Sequence, residues 1–236
     1  MNRLHLSASI CILSLGLAAS AALALTDEKD EAGFKSIFNG TDLTGWVYGK
    51  SGKGENKSGK GYRVEERLIY CTKEDGGNLY TEKEYADFVL RFEFKLTENA
   101  NNGIGIRAPL EGDSAYVGME IQVLDDGGSQ YKTLQPYQYH GSIYGVVACK
   151  RGFQKPVGEW NSEEITAKGR HITIKLNGTT IVEANLDDVK DEAILKAHRD
   201  LSKPEGSRGI ANTKGHIGFL GHGARVEFRN LRVKEL

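Results

Sequence analysis

Residues 87–96, DFVLRFEFKL, decide the fold. Phe88, Leu90, Phe92, Phe94 and Leu96 share one side of an extended chain, and Val89, Arg91, Glu93 and Lys95 share the other. Successive side chains of a strand point to opposite faces, so this alternation marks a strand with one face in a core. Similar runs follow along the chain: YRVEERLIYC (62–71), GIGIRA (103–108), YVGMEIQVL (116–124), GSIYGVVA (141–148), RHITIKL (170–176), TTIVEANL (179–186), HIGFLG (216–221) and ARVEFRNLRV (224–233). Asn177-Gly178 stands between two of them, the dipeptide favoured by a two-residue hairpin turn. The 29 glycines fall mainly between these runs, as many short strands require. Many short strands with turns between them predict an all-β sandwich or jelly roll. One segment differs. In DDVKDEAILKAHRDLS, Val189, Ala193, Ile194, Ala197 and Leu201 recur at helical spacing, which predicts one short helix near 188–201 with His198 on its solvated side.

The 236 residues suffice for one sandwich-sized domain. Residues 1–24 stand apart. Arg3 and His5 precede the apolar run ICILSLGLAASAALAL, which ends at the small-residue site Ala22-Leu23-Ala24, the pattern of a secretory signal peptide. The run is shorter than the roughly 20 residues of a membrane span. The expectation is a single domain over 25–236, exported to the periplasm or beyond, with no membrane association after signal removal. Cys71 and Cys149 remain in the mature chain, as buried thiols or as one disulfide. A net charge of -1 gives no reason to expect nucleic acid as a partner. GKSGKGENKSGKG (49–61) nearly spells a phosphate loop, but Gly61 stands where Ser or Thr should hold magnesium. A solvated loop is expected, and no nucleotide or organic cofactor. Oligomeric state is left open.

The chemistry concentrates in MEIQVLDDGG (119–128). Met119, Ile121 and Val123 suit the core face, which places Glu120 and Gln122 together on the other. Asp125 has core parity, where an unpaired carboxylate is costly. A β-bulge near Val123–Leu124 would turn it beside Glu120; otherwise Asp125 starts the turn. The spacing resembles the catalytic strand of laminarinase and lichenase-type glucanases, which are concanavalin-like jelly rolls. There two outer acids act as nucleophile and general acid about 5–5.5 Å apart. Here Gln122 replaces the middle acid and the shorter Asp125 the last.

A wider resemblance spans residues 33–236. FKSIFNGTDLTGW, NNGIGIRAP, MEIQVLDD, GSIYG, KPVGEWN, KLNG, GHIGFLGHG and VEFRNLRV follow in order the segments of the 3-keto-disaccharide hydrolase domain family. It implies a concanavalin-like sandwich that cleaves 3-keto-glycosides on its concave face. A ketone at sugar carbon 3 acidifies the proton on carbon 2, so a base can drive elimination of the glycosidic oxygen, and water then adds back. This needs a base (Glu120 or His222), an electrophile for the ketone (Arg107 or a metal) and a proton donor (Asp125 or Tyr144). A divalent cation held by Glu120, Asp125 and His222 also fits the ligand types. Gln122, Tyr144, His140 and the loop Glu159, Trp160, Asn161 are candidates for sugar binding. Structural roles compete: Arg107 could balance Glu120 across strands, and Trp160 could plug the sandwich edge. Two other functions stand beside this one, a lectin-like carbohydrate-binding module and a conventional retaining glycosidase using Glu120 and Asp125.

Overall fold

The computed structural model describes residues 32–50, 55, 59–73, 76–198 and 209–236. The signal-peptide expectation and much of the 49–61 loop lie outside them. Thirteen strands appear in chain order among the described residues: β1 (Lys35–Ser36), β2 (Trp46–Tyr48), β3 (Tyr62–Glu65), β4 (Leu68–Cys71), β5 (Gly77–Tyr85), β6 (Phe88–Leu96), β7 (Asn101–Ala108), β8 (Met119–Leu124), β9 (Trp160–Lys168), β10 (His171–Leu176), β11 (Thr179–Asn185), β12 (Gly215–Gly221) and β13 (Val226–Glu235). A four-residue helix, α1 (Ser114–Val117), precedes β8, and α2 (Glu192–Ala197) follows β11. One sheet runs β11-β10-β9-β6-β13-β4-β3, with β1 also on β13, and the other runs β2-β5-β12-β7-β8. Every pairing is antiparallel. This is the expected β-sandwich.

The alternation of β6 explains the packing. Phe88, Leu90, Phe92, Phe94 and Leu96 all lie in the core. From the smaller sheet, Ile104 and Ile106 (β7), Met119, Ile121 and Val123 (β8), and Ile217 and Phe219 (β12) meet them. Phe219 stacks on Phe228 of β13 with ring centroids 4.1 Å apart, and Trp46 stacks on Phe219 at 5.3 Å. Each such side chain contributes about 1.5–3 kcal/mol when fully buried. Opposite the core, the outer face of the larger sheet carries ion pairs, including Arg91–Glu164 at 2.6 Å and Lys95–Glu227 at 2.7 Å.

Some elements differ from expectation. The run 62–71 is two strands, because Glu66 and Arg67 both take positive φ and close a hairpin. Asn177 and Gly178 do the same between β10 and β11. The run 141–148 forms no named strand; it folds back on itself through the bridges Ile121↔Ile143 and Ile143↔Val147. Cys71 and Cys149 are both free thiols. The expected helix shortens because Asp191 caps its start, accepting the Ala193 and Ile194 N–H groups. His198 ends α2 and is buried (1% exposed), not solvated. It packs on the Tyr116 ring at 5.5 Å, and its Nδ1 has no hydrogen-bond partner.

Arg107 is the largest departure. Strand parity assigns it to the face of Gly103 and Gly105. Instead β7 carries an extra residue against β12 between the pairs Gly218↔Gly105 and His216↔Ala108, and Arg107 takes φ +47°. The bulge turns its side chain inward, to a chain turn rather than a site. Nε donates to the Ala86 carbonyl (2.9 Å), Nη1 to the Gly169 carbonyl (2.7 Å), and Nη2 pairs with Asp87 (2.9 Å). Arg107 thus ties the β5–β6 turn to the β9–β10 turn and is 1% exposed.

Replacing Arg107 with Met leaves the carbonyls of Ala86 and Gly169 without this donor. Unfolding in urea should show a loss of about 1–3 kcal/mol or more. A second expectation concerns His198. Burial pushes its pKa below the ordinary histidine value. As pH falls through that value the unfolded chain takes up a proton that the folded chain resists, so stability is lost on acidification. Melting curves between pH 8 and pH 5 should therefore fall less steeply for His198→Phe than for the wild type.

Candidate active site

The outer face of the smaller sheet becomes a pocket because two long connections cover it. Glu120, Gln122 and Leu124 project from β8 away from the core residues Met119, Ile121 and Val123. All six residues of β8 are nonetheless buried. Residues 109–118, between β7 and β8, wall one side with Asp113, Ala115 and Tyr116. Residues 125–159, between β8 and β9, wall another with Tyr131, Leu134, Gln138 and Tyr144. His222, just past β12, lines the remaining side and is exposed. The enclosed space is about 160 Å³.

Glu120 lies on the floor, 5% exposed. Its position depends on the absence of side chains on β7. Gly105 is its direct cross-strand partner, and a methyl group on Gly103 would come 2.7 Å from the Glu120 Cδ. Any other residue at 103 would occupy the carboxylate's place. Gln122 beside it is also buried. The Val123 N–H donates to its Oε1 (3.1 Å), which fixes the amide orientation and leaves the NH₂ group as a donor. Tyr144 is anchored to β8 by its N–H to the Glu120 carbonyl (2.8 Å), and Gln138 Nε2 donates to its hydroxyl (3.0 Å). Behind the wall, Asn78 donates to the Tyr80 hydroxyl (2.9 Å), which lies 2.6 Å from Ser114 Oγ.

The sequence-derived residues divide into two groups. Glu120, Gln122, Tyr144 and His222 come together in the pocket. Asp125 does not. The register of β7 on β8 runs unbroken from Asn101↔Leu124 to Ile106↔Met119, so β8 has no bulge. Leu124 takes the pocket position expected for the acid. Asp125 instead caps a turn, accepting the Asn99 N–H (2.8 Å) and the Gly127 N–H (3.1 Å). Arg107 stands away, as described. The cation trio Glu120, Asp125 and His222 is therefore not assembled, and among the described residues no three His, Cys, Asp or Glu side chains group as metal ligands.

The other sugar-binding candidates also lie elsewhere. His140 is in the core rather than at the rim. Its Nδ1 accepts the Leu124 N–H (3.4 Å), its Nε2 lies 3.3 Å from Glu163, and its ring packs on Phe94 at 4.9 Å. Trp160 lies on the outer face of the larger sheet, between Lys95 at 4.9 Å and Arg229 at 3.9 Å. Asn161 is buried, accepting from the Lys155 N–H (2.8 Å) and Asn177 Nδ2 (2.9 Å), and Glu159 is exposed in the preceding turn.

Sequence reasoning missed Asn78, Asn101 and Tyr116 as pocket residues. A signal existed for one. Asn101, Gly103 and Gly105 alternate on β7 with Ile104 and Ile106, a polar, bare face opposite an apolar one. Asn78 reaches the pocket through the pairing of β5 with Leu220 on β12, and Tyr116 through the packing of α1.

With this geometry in hand, known proteins give a consistent frame. A Bacteroides thetaiotaomicron protein named 3-keto-disaccharide hydrolase is 26% identical over 88% of this chain and 80% of its own. A solved candidate glycosyl hydrolase from Parabacteroides distasonis is 27% identical, with a TM-score of 0.69 over 90% of this chain and 98% of that one. A carbohydrate binding module from Bacillus subtilis shares the fold at 11% identity, with a TM-score of 0.50 over 83% of this chain and 98% of that one. Residues 33–234 match the family described as 3-keto-alpha-glucoside-1,2-lyase-like domain, and the chain belongs to that family.

Proposed function

We propose that this protein is an exported hydrolase that cleaves 3-keto-glycosides, 3-keto-disaccharides among them, by elimination and rehydration. The observation that carries this reading is the Glu120 carboxylate, buried on the floor of a small polar pocket over the bare glycine at 103. The family and the name of the Bacteroides relative support the substrate class. The apolar N-terminal segment supports export.

Glu120 acts as the base. It takes the carbon-2 proton, and the C–H electron pair becomes a carbon-1 to carbon-2 double bond conjugated with the ketone. The carbon-1 oxygen bond breaks with its pair on the leaving oxygen, which takes a proton from His222 at the rim. Water then adds at carbon 1 and gives a proton to His222, while Glu120 returns its proton to carbon 2, which completes a net hydrolysis. Negative charge develops on the ketone oxygen during proton removal, and the Gln122 amide NH₂ is placed to receive it. This role replaces the one the sequence assigned to Arg107. The retaining route using Glu120 and Asp125 needs both carboxylates to flank one bond, and Asp125 faces a turn instead.

The decisive assay compares a 3-keto-disaccharide with its unoxidised parent. Only the keto form should be cleaved, and deuterium at carbon 2 should slow it. Equal cleavage of the parent, or no isotope effect under single-turnover conditions, would reject this mechanism. Glu120→Gln should lower kcat by about 10²–10⁴-fold, the range for losing a general base. Gly103→Ala should also lower kcat while circular dichroism shows an intact sandwich, because the added methyl displaces the carboxylate and not the fold.

A further inference from the structure

The pocket is small and its rim is lopsided. A space of about 160 Å³ lies below the roughly 300–1,000 Å³ of sites that enclose drug-sized ligands. On the proposed function, a space of that size would take one sugar ring over Glu120, with the other half of a disaccharide outside it. Of the large hydrophobic side chains that remain exposed among the described residues, Tyr116, Phe153, Val157 and Leu236, only Tyr116 lines this pocket. Its exposure is 39%, whereas the other three residues of α1 are buried.

Tyr116 is also held in place from behind. His198, brought from the far end of α2, packs its ring on Tyr116 at 5.5 Å. The same imidazole reaches the second wall: its Nε2 lies 3.4 Å from where a Cβ on Gly145, next to Tyr144, would stand. Gly209 seals the arrangement, because a Cβ there would overlap the backbone carbonyls of both Tyr116 and His198. A buried side chain with no polar partner for Nδ1 therefore joins the two walls. Packing accounts for that contact and leaves Tyr116 39% exposed where it lines the pocket.

We infer that Tyr116 is the platform for the leaving sugar, specifying a glycosyl leaving group over a small aglycone, and that His198 is a positioning residue that sets the ring's orientation. The inference rests on the proposed function for its reaction. An aromatic ring can cover the apolar C–H face of a sugar, which suits a residue on the pocket wall.

The test uses the full mature chain with two substrates, a 3-keto-disaccharide and the methyl 3-keto-glucoside, whose aglycone is too short to reach Tyr116. In the wild type kcat/KM should favour the disaccharide. Tyr116→Ala should shrink that preference about three- to tenfold, of the order of one aromatic contact, mainly through KM. His198→Ala should shrink it in the same direction and His198→Phe should restore it, with melting temperatures checking that each variant folds. An unchanged preference in Tyr116→Ala overturns the inference. So does a loss in His198→Ala that Phe does not rescue, for the positioning role. If the wild type cleaves neither substrate, the proposed reaction fails, and calorimetric titration with the unoxidised disaccharide and with glucose decides the platform separately. Tyr116→Ala must then weaken disaccharide binding more than glucose binding; equal effects overturn it.

Discussion

The stack of Phe219 on Phe228 governs the rest of the molecule. It joins β12 of one sheet to β13 of the other at the closest ring separation among the described aromatic pairs. Once Phe219 faces inward, strand parity fixes the outward direction of Leu220 and Gly218 on β12. The pairings Gly218↔Gly105 and Gly105↔Glu120 carry that assignment across β7 to β8. Glu120 therefore faces outward because Phe219, two strands away on β12, faces inward against Phe228. Core and pocket are opposite faces of the same four strands, so hydrophobic burial holds the Glu120 carboxylate rigidly in place.

How much of this was legible in the sequence follows from what parity can express. Alternation located β6, β7, β8 and β10 to β13, the inward set on β6 and β8, and Glu120 with Gln122 on one outward face, but it missed β5 and β9. It failed where the backbone leaves ideal extension. Arg107 sits in a bulge with positive φ, a local choice that no residue type announces, since Arg has no preference for that conformation. Asp125 was expected to need a bulge in β8. The irregularity lies in β7 instead, and Asp125 acts as an ordinary turn acid. His198 continues a helical pattern, but a helix pattern does not reveal that a covering loop buries its end. Trp160 is a reminder that an aromatic ring flanked by cations is as much at home on a solvated sheet face as in a sugar site.

The resemblance to known segments located the family before the geometry did, yet it could not distribute roles. Of the residues it suggested, Glu120, Gln122, Tyr144 and His222 converge, whereas Trp160 and Asn161 begin β9 in the larger sheet and do not. The difference is topological. Strand neighbours are fixed by hydrogen-bonded register, whereas the path of the 125–159 connection depends on tertiary contacts such as His140 with Phe94 and Glu163.

The division of labour between sheet and connections has an evolutionary side. Glu120 and its bare neighbour belong to the hydrogen-bonded sheet, where a change at Gly103 is steric and immediate. The walls belong to two surface connections, which tolerate insertion and substitution at small cost in stability. Descendants of this sandwich could thus acquire new ligand preferences by rewriting the exposed parts of those connections. The sheet floor would pass unchanged between them, a fixed reader with interchangeable margins.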